Sequence, residues 1–162
     1  MLEENLIKIY ETSFRENREM PALTDYFKGE TFSYYEMAKE IAKLHLFFKK
    51  AEIRRGDKIA LVGRNNPRWC ITYLATITYG AVIVPILQDF APADIVHIVN
   101  HSESRLLFVG DNYWDIIEED EIARIDAVLS LTDFHVIYER RGKSLGVYMR
   151  DMVKNYRAKY KR

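Results

Sequence analysis

"KIALVGRNNPRWCITYLATITYGAVIVPI", residues 58–86, decides how this chain folds. Ile59-Ala60-Leu61-Val62 is an apolar run of strand length, and residues 67–79 read as a helix. Asn66 carries an N-cap oxygen, and Pro67 suits a first helical position because its missing N–H has no partner to lose there. Residues 81–85, β-branched at Val82-Ile83-Val84, read as a second strand. Apolar strands joined through a helix imply a parallel sheet buried on both faces, with right-handed crossovers. The uncharged stretch 69–87 also has the length of a bilayer crossing. Gly80, Pro85 and Thr72, Thr76 and Thr78 within it favour a buried helix feeding a buried strand.

The turn between strand and helix sits where a dinucleotide-binding chain places a glycine-rich loop, yet only Gly63 is there. Asp89, after the second strand, imitates a ribose-binding carboxylate, a weak signal without the glycines. Starting a helix is the more economical role for this turn. Arg64 and Arg68 are read as solvated, with an anion contact as the alternative.

Downstream, residues 92–100 predict a helix and 105–109 a strand, which completes βαβαβ. Residues 113–119 predict a short helix, 127–131 a fourth strand and 136–138 a fifth. Residues 144–159 predict a last helix capped by Ser144, with Leu145, Tyr148, Met149, Met152, Val153 and Tyr156 on one side. Upstream, residues 2–17 predict an amphipathic helix, and 22–32 a small hairpin turning at Gly29. Ser33 and Glu36 have capping-box spacing, opening a helix whose stripe is Met37, Ile41, Leu44 and Phe48. The expected fold class is α/β: a mostly parallel sheet with helices on both faces, preceded by an N-terminal helix and a β-hairpin. The expected division is 1–32 helix and hairpin, 33–138 α/β core, and 139–162 terminal helix and linker.

With 162 residues, 48% of them hydrophobic, the chain is long enough for one core without disulfides. Its 24 basic and 24 acidic residues balance, which argues against a nucleic-acid partner. Cys70 stands alone in apolar surroundings, where a space-filling role outweighs a catalytic thiol and a reducing cytoplasm is the expected compartment. Glu3, Glu4, Lys8 and Glu11 leave no apolar run for a secretory signal, and no transmembrane segment is expected.

His97 and His101, with Asp94, have the spacing of metal ligands on one helix face, although a helix-ending histidine is the plainer reading. The acidic run Asp115, Glu118, Glu119, Asp120, Glu121 reads as a solvated surface. The tail Lys154, Arg157, Lys159, Lys161, Arg162 reads as a linker, or as a contact for anionic lipid. Tyr26, Phe27, Phe32, Tyr34 and Tyr35 read as hairpin and helix-start packing in preference to base stacking.

The order "GETFSYYEMAKEIAKLHLFF", "GDKIALVGRNNPRW", "YLATITYGAVIVPIL" and "APADIVHIVNHSESRLLFV" resembles the N-terminal part of the adenylate-forming superfamily, and within it the AMP-forming long-chain fatty-acid–CoA ligases. The resemblance spans residues 22 to about 132. It implies a two-step reaction in which a fatty acid attacks the α-phosphate of ATP to give acyl-AMP, and the thiol of CoA then displaces AMP. Magnesium and a lysine neutralise the phosphates in that chemistry. The family's phosphate loop, Thr-Glu pair, ribose-binding aspartate and C-terminal lysine have no counterpart here, so no catalytic residue and no metal ligand is carried over. The resemblance therefore implies a piece of a protein several times longer, inactive by itself.

By the same resemblance, Ile86-Leu87-Gln88-Asp89-Phe90 falls near the passage for the pantetheine arm of CoA. Gln88 and Asp89 depart from the small residues common there, so an ordinary connecting loop remains open. The N-terminal helix implies packing on the rest of the enzyme or on a second subunit in a homodimer. The expected location is the cytoplasm, with peripheral contact to the inner membrane surface. The alternatives are a stand-alone, non-enzymatic α/β module that binds a ligand or partner, and a ligase acting on a different carboxylic acid or carrier.

Overall fold

The computed structural model of the protein describes residues 5–122 and 124–160. Helix α1 (Leu6–Glu16) and the antiparallel hairpin β1 (Pro21–Asp25) and β2 (Glu30–Ser33) come first. Then follow α2 (Tyr34–Lys50), β3 (Lys58–Val62), α3 (Pro67–Tyr79), β4 (Val82–Ile86), α4 (Pro92–His101), β5 (Leu106–Val109) and α5 (Asp111–Trp114). The chain continues through β6 (Ala127–Ser130), β7 (Val136–Glu139), α6 (Leu145–Arg150) and α7 (Met152–Tyr160). The main sheet has the order β4-β3-β5-β6-β7, parallel except for the last pair. This is the α/β architecture expected from residues 58–109.

The interior strands are apolar throughout because both their faces are covered. Ile59, Leu61, Leu106, Phe108, Ala127 and Leu129 pack under α2, α3, α6 and α7. Ala60, Val62, Leu107, Val109 and Val128 pack on the other face with Ile95 and Val99 of α4 and with Ile117, Ile122 and Ile125. From β3 the chain crosses by α3 on the first face to β4. It returns by α4 on the second face to β5, on β3's other side. Opposite directions on opposite faces give both crossovers the same hand.

Residues 81–85, expected to be a buried strand, are instead a sheet margin: β4 pairs only with β3, and Val82 is 46% exposed. That position also accommodates Pro85, which has no N–H to give a second neighbour.

The helix starts follow their sequence signals. Ser33 Oγ accepts from Glu36 N at 3.2 Å, and Glu36 Oε2 accepts from Ser33 N at 2.8 Å. Asn66 Oδ1 accepts from Trp69 N at 2.9 Å, and Pro67 occupies the first turn of α3. Thr72 and Thr76, buried in α3, donate to the carbonyls of Arg68 and Thr72 at 2.8 Å, which satisfies their hydroxyls inside the core. Gly80, with φ 88°, ends α3 in the left-handed conformation a side chain resists. The 13 residues of α3 are too few to cross a bilayer, and no helix among the described residues is long and apolar enough to do so.

Three expected elements are corrected. The predicted helix over 113–119 is two shorter pieces, α5 and a 3₁₀ turn over Glu119–Ile122. The chain must turn between them to bring Ile117, Ile122 and Ile125 into one core. The predicted helix over 144–159 breaks at Asp151, where the Asn155 side chain donates to the Tyr148 carbonyl at 3.2 Å. Ser144 does not cap α6: it sits at φ 55° with no capping bond. The Glu139 carboxylate, at the end of β7, accepts from Leu145 N and from Gly146 N instead. The first residues of the helix expected over 2–17 lie outside the described residues. From Leu6 onward α1 buries none of its side chains and meets α2 through an edge-on Phe14–Tyr34 contact at 5.4 Å.

At the amino ends of the strands, Arg105 joins four segments. Its Nε donates to Asp126 at 3.0 Å, and its Nη1 donates to Asp57 at 3.1 Å and to the Glu52 carbonyl at 3.0 Å. Asp126 is buried, so removing the guanidinium leaves its carboxylate with only the more distant Lys143 ammonium, 3.9 Å from Oδ1. Arg105→Met should lower the unfolding free energy by ~2–3 kcal/mol, less than the ~3–5 of a fully buried pair because Arg105 is partly exposed. Urea titration of both proteins at neutral pH measures the difference.

Candidate functional site

In an open parallel sheet the crevice for a ligand opens at the carboxyl ends of the strands, where the chain reverses its direction of winding. Here that point lies between β3 and β5. The crevice is closed by backbone. A Cβ on Gly63 would stand 2.9 Å from Leu131 Cδ1 and 3.0 Å from Gly110 N. The Gly110 amide donates to the Val62 carbonyl at 2.9 Å, and the Trp69 amide is held by Asn66. The two glycines therefore let neighbouring strand ends touch, and the Gly110 and Trp69 amides at this edge are engaged.

The arginines of the turn divide. Arg64 is exposed. Arg68, expected to be solvated or to meet an anion, forms a two-pronged pair with Glu30 at 2.7 and 2.9 Å and lies over the Phe32 ring at 5.3 Å. It fastens the hairpin to α3. The Arg68 hydrogen bond outweighs the opposing effect of burial and holds the Glu30 carboxyl below its ordinary value of 4.5.

Val62 and Ile86 are register partners, so the Ile86–Phe90 segment leaves the same end of the sheet. Ile86 is buried under α4, whereas Leu87, Gln88, Asp89 and Phe90 form an exposed turn closed by Phe90 N donating to Leu87 O at 3.2 Å.

The other sequence candidates are structural or solitary. Cys70 is half-buried, and burial pushes its thiol up, away from the reactive thiolate. His97 and His101 stack on the exposed side of α4 with centroids 5.7 Å apart. No group of three or more histidine, cysteine or acidic side chains fit to hold a metal occurs among the described residues. The expected aromatic cluster is dispersed. Phe32 lies under Arg68, Tyr34 meets Phe14, and Tyr35 lies 4.1 Å from Arg18. Tyr26 and Phe27 do not pack into the hairpin: at 88% and 96% exposure they project from its tip.

A concave feature lies elsewhere, between α2 and the α6–α7 pair. A cleft of about 440 Å³ has Leu44, Phe134, Val136, Met149 and Met152 among its lining, with Lys43 and Val153 at one end. Lys43 and Val153 also line an adjoining hollow of about 280 Å³ with Tyr35, Lys39, Tyr156, Arg157 and Tyr160. Burial first, then the nearby Tyr35, Tyr160 and Glu40, push the Tyr156 phenol up, so it stays a proton donor. The α2 contribution, Tyr35-Lys39-Lys43, and the α7 contribution, Val153-Tyr156-Arg157-Tyr160, each have helical spacing. That periodicity was legible, but nothing in it showed that the two rows face one another.

The AMP-binding enzyme family matches residues 10–152. A fatty acid–acyl-carrier-protein ligase of Streptomyces coeruleorubidus is 24% identical over 120 residues, 74% of this chain and 23% of that protein. Long-chain-fatty-acid–CoA ligase 6 of Rattus norvegicus is 28% identical over 127 residues, 74% of this chain and 18% of its own length. Among solved structures, an anthranilate CoA ligase in complex with anthranoyl-AMP superposes with a TM-score of 0.75 at 16% identity, covering 93% of this chain and 28% of that one. The chain thus spans about a fifth of the length of these curated relatives.

Three substitutions test this geometry. Gly63→Ala should destabilise the fold by ~1–3 kcal/mol through overpacking against Leu131 and Gly110, read from the shift of the urea midpoint. For Glu30 the folded value is the lower one, so the pair's contribution is full above pH 4.5 and is lost as the pH falls through the folded value. A double-mutant cycle with Glu30→Gln and Arg68→Gln should give a coupling of ~0.5–1 kcal/mol at pH 7 that disappears once the pH has fallen below the folded value of Glu30.

Proposed function

The chain belongs to the AMP-binding enzyme family, and from that premise we propose that it is the N-terminal α/β portion of an ATP-dependent ligase. That enzyme activates a carboxylic acid as its acyl-adenylate and passes the acyl group to the thiol of CoA. The observation that carries this reading is the family match along nearly the whole chain, combined with the small share of each relative that the chain covers. A fatty acid is the proposed substrate, favoured by the fatty-acid ligases among the relatives. The anthranilate enzyme among the structural neighbours marks an aryl acid as the second reading. The cytoplasm is the proposed compartment.

The residues of this chain do not fit ATP or magnesium. The Gly63–Gly110 contact closes the switch-point crevice, Arg68 is committed to Glu30, and the donor set for a metal is missing among the described residues. The chemical step is assigned to polypeptide outside this chain, and this portion supplies a scaffold. Its one proposed contact with a substrate is the exposed turn Leu87–Gln88–Asp89–Phe90, following buried Ile86, as a wall of the passage taken by the pantetheine arm. Pantetheine ends in amides and a thiol, which Gln88 and Asp89 can meet by hydrogen bonds. The same arm is borne by acyl carrier proteins, so the turn is suited to either acceptor.

Two measurements test the proposal. The 162-residue chain should show no fatty-acid-dependent exchange of pyrophosphate into ATP, whereas the longer natural polypeptide should show it; exchange by the chain alone refutes the scaffold assignment. In that longer protein, Gln88→Ala with Asp89→Ala should raise the KM for CoA several-fold and leave the exchange rate unchanged. An unchanged KM removes the turn from the passage.

A further inference from the structure

The cleft between α2 and the α6–α7 pair differs chemically at its two ends. Its deep part is apolar: Leu44 and Met152 are buried at its floor, with Phe134 contributed by the β6–β7 connection. The two acids on its rim are already engaged. Glu40 pairs with Lys43 at 2.5 Å, and Asp133 accepts from the His135 amide at 2.9 Å and contacts the His135 ring. The adjoining hollow is basic and aromatic. Arg157 has no ion pair or hydrogen bond among the described residues, and Lys39 meets only the field of Glu36. Three phenols stand beside them, with the Tyr156 and Tyr160 rings 4.9 Å apart. Val153, 54% exposed, joins the two parts.

A cationic mouth continuous with an apolar trough selects by charge at one end and by hydrophobic contact at the other. Phosphate or acetate fills only the mouth, an alcohol only the trough. The volumes of about 440 and 280 Å³ lie near the range of small-molecule sites, ~300–1,000 Å³. Hydrogen bonds from lysine, guanidinium and phenol groups to a carboxylate are charge-assisted, and so stronger than those to a neutral headgroup.

We infer that this cleft binds a single-chain anionic amphiphile, an aliphatic carboxylate whose tail lies over Leu44, Phe134 and Met149 and whose headgroup sits between Lys39 and Arg157. The inference stands on the cleft and not on the ligase reading, because binding there needs neither ATP nor CoA. It also places the amphiphile away from the β3–β5 switch point, between helices on one face of the sheet.

The test is calorimetric titration of the 162-residue chain with dodecanoate, kept below its micellar concentration and without nucleotide. One-to-one saturable binding is expected, with dodecan-1-ol and inorganic phosphate each at least tenfold weaker. Lys39→Gln with Arg157→Gln should weaken dodecanoate at least tenfold and leave dodecan-1-ol unchanged. Val153→Glu, on an exposed helical position that tolerates charge, should weaken both; circular dichroism verifies that each variant is folded. Equal affinity for phosphate would make this a simple anion site, and equal affinity for dodecan-1-ol an apolar crevice. Either result overturns the inference, as does failure of dodecanoate to bind. Sedimentation with phosphatidylglycerol vesicles, lost in the double variant while free dodecanoate does not bind, would assign the surface to a membrane instead. Activity of the ligase is not read in any arm, so failure here leaves the proposed reaction untouched, and failure of the exchange assay leaves the cleft untouched.

Discussion

The burial of β3, β5 and β6 on both faces is the constraint from which the rest of the molecule follows. Strands covered on both sides have no face for polar residues, which is why residues 59–62, 106–109 and 127–129 are apolar without alternation. Covering both faces requires helices on each, and the chain supplies them by winding outward over α3 and back over α4. The reversal between β3 and β5 is a geometric by-product of that winding, and it creates the kind of edge where open parallel sheets accommodate ligands. In this chain the edge is filled by a glycine-to-glycine contact under Leu131. Strand packing takes precedence there over ligand space.

Charge is used mainly for fastening. Arg105 gathers α2, β5 and β6 with the segment entering β3, while Arg68 draws the hairpin onto α3. Glu139 supplies the cap that the sequence assigned to Ser144. Each of these groups closes a contact distant in sequence, and each is thereby withdrawn from ligand binding. Arg157 and Lys39 are exceptions, and both line the hollow between α2 and α7, two helices brought together by the common core.

The chain belongs to the AMP-binding family, and among its described residues no group of three or more histidine, cysteine or acidic side chains is fit to hold a metal. A reaction between a carboxylate and a nucleotide triphosphate needs several charges held at fixed separations. Under the proposed reading, a scaffold that spends its own charges on internal contacts leaves that task to other parts of the polypeptide. The exposed turn after β4 and the cleft between α2 and the α6–α7 pair lie on different sides of the architecture: one at a sheet edge, the other between helices on one face of the sheet.

The sequence alone determined the α/β class, the helix starts at Ser33 and Asn66, the stop at Gly80 and the apolar interior strands. Each is written in local chemistry: a cap oxygen, a proline lacking an N–H, a residue without Cβ, a period of burial. Tertiary structure decided what depended on long-range partners. Val82–Ile86 reads as buried until the strand order puts it at the margin, and Arg68 reads as solvated until Glu30 arrives from a hairpin 38 positions earlier. The cleft was hidden for the same reason: two helical rows more than a hundred residues apart become one site only when the core sets their separation, and no local pattern encodes a distance between helices.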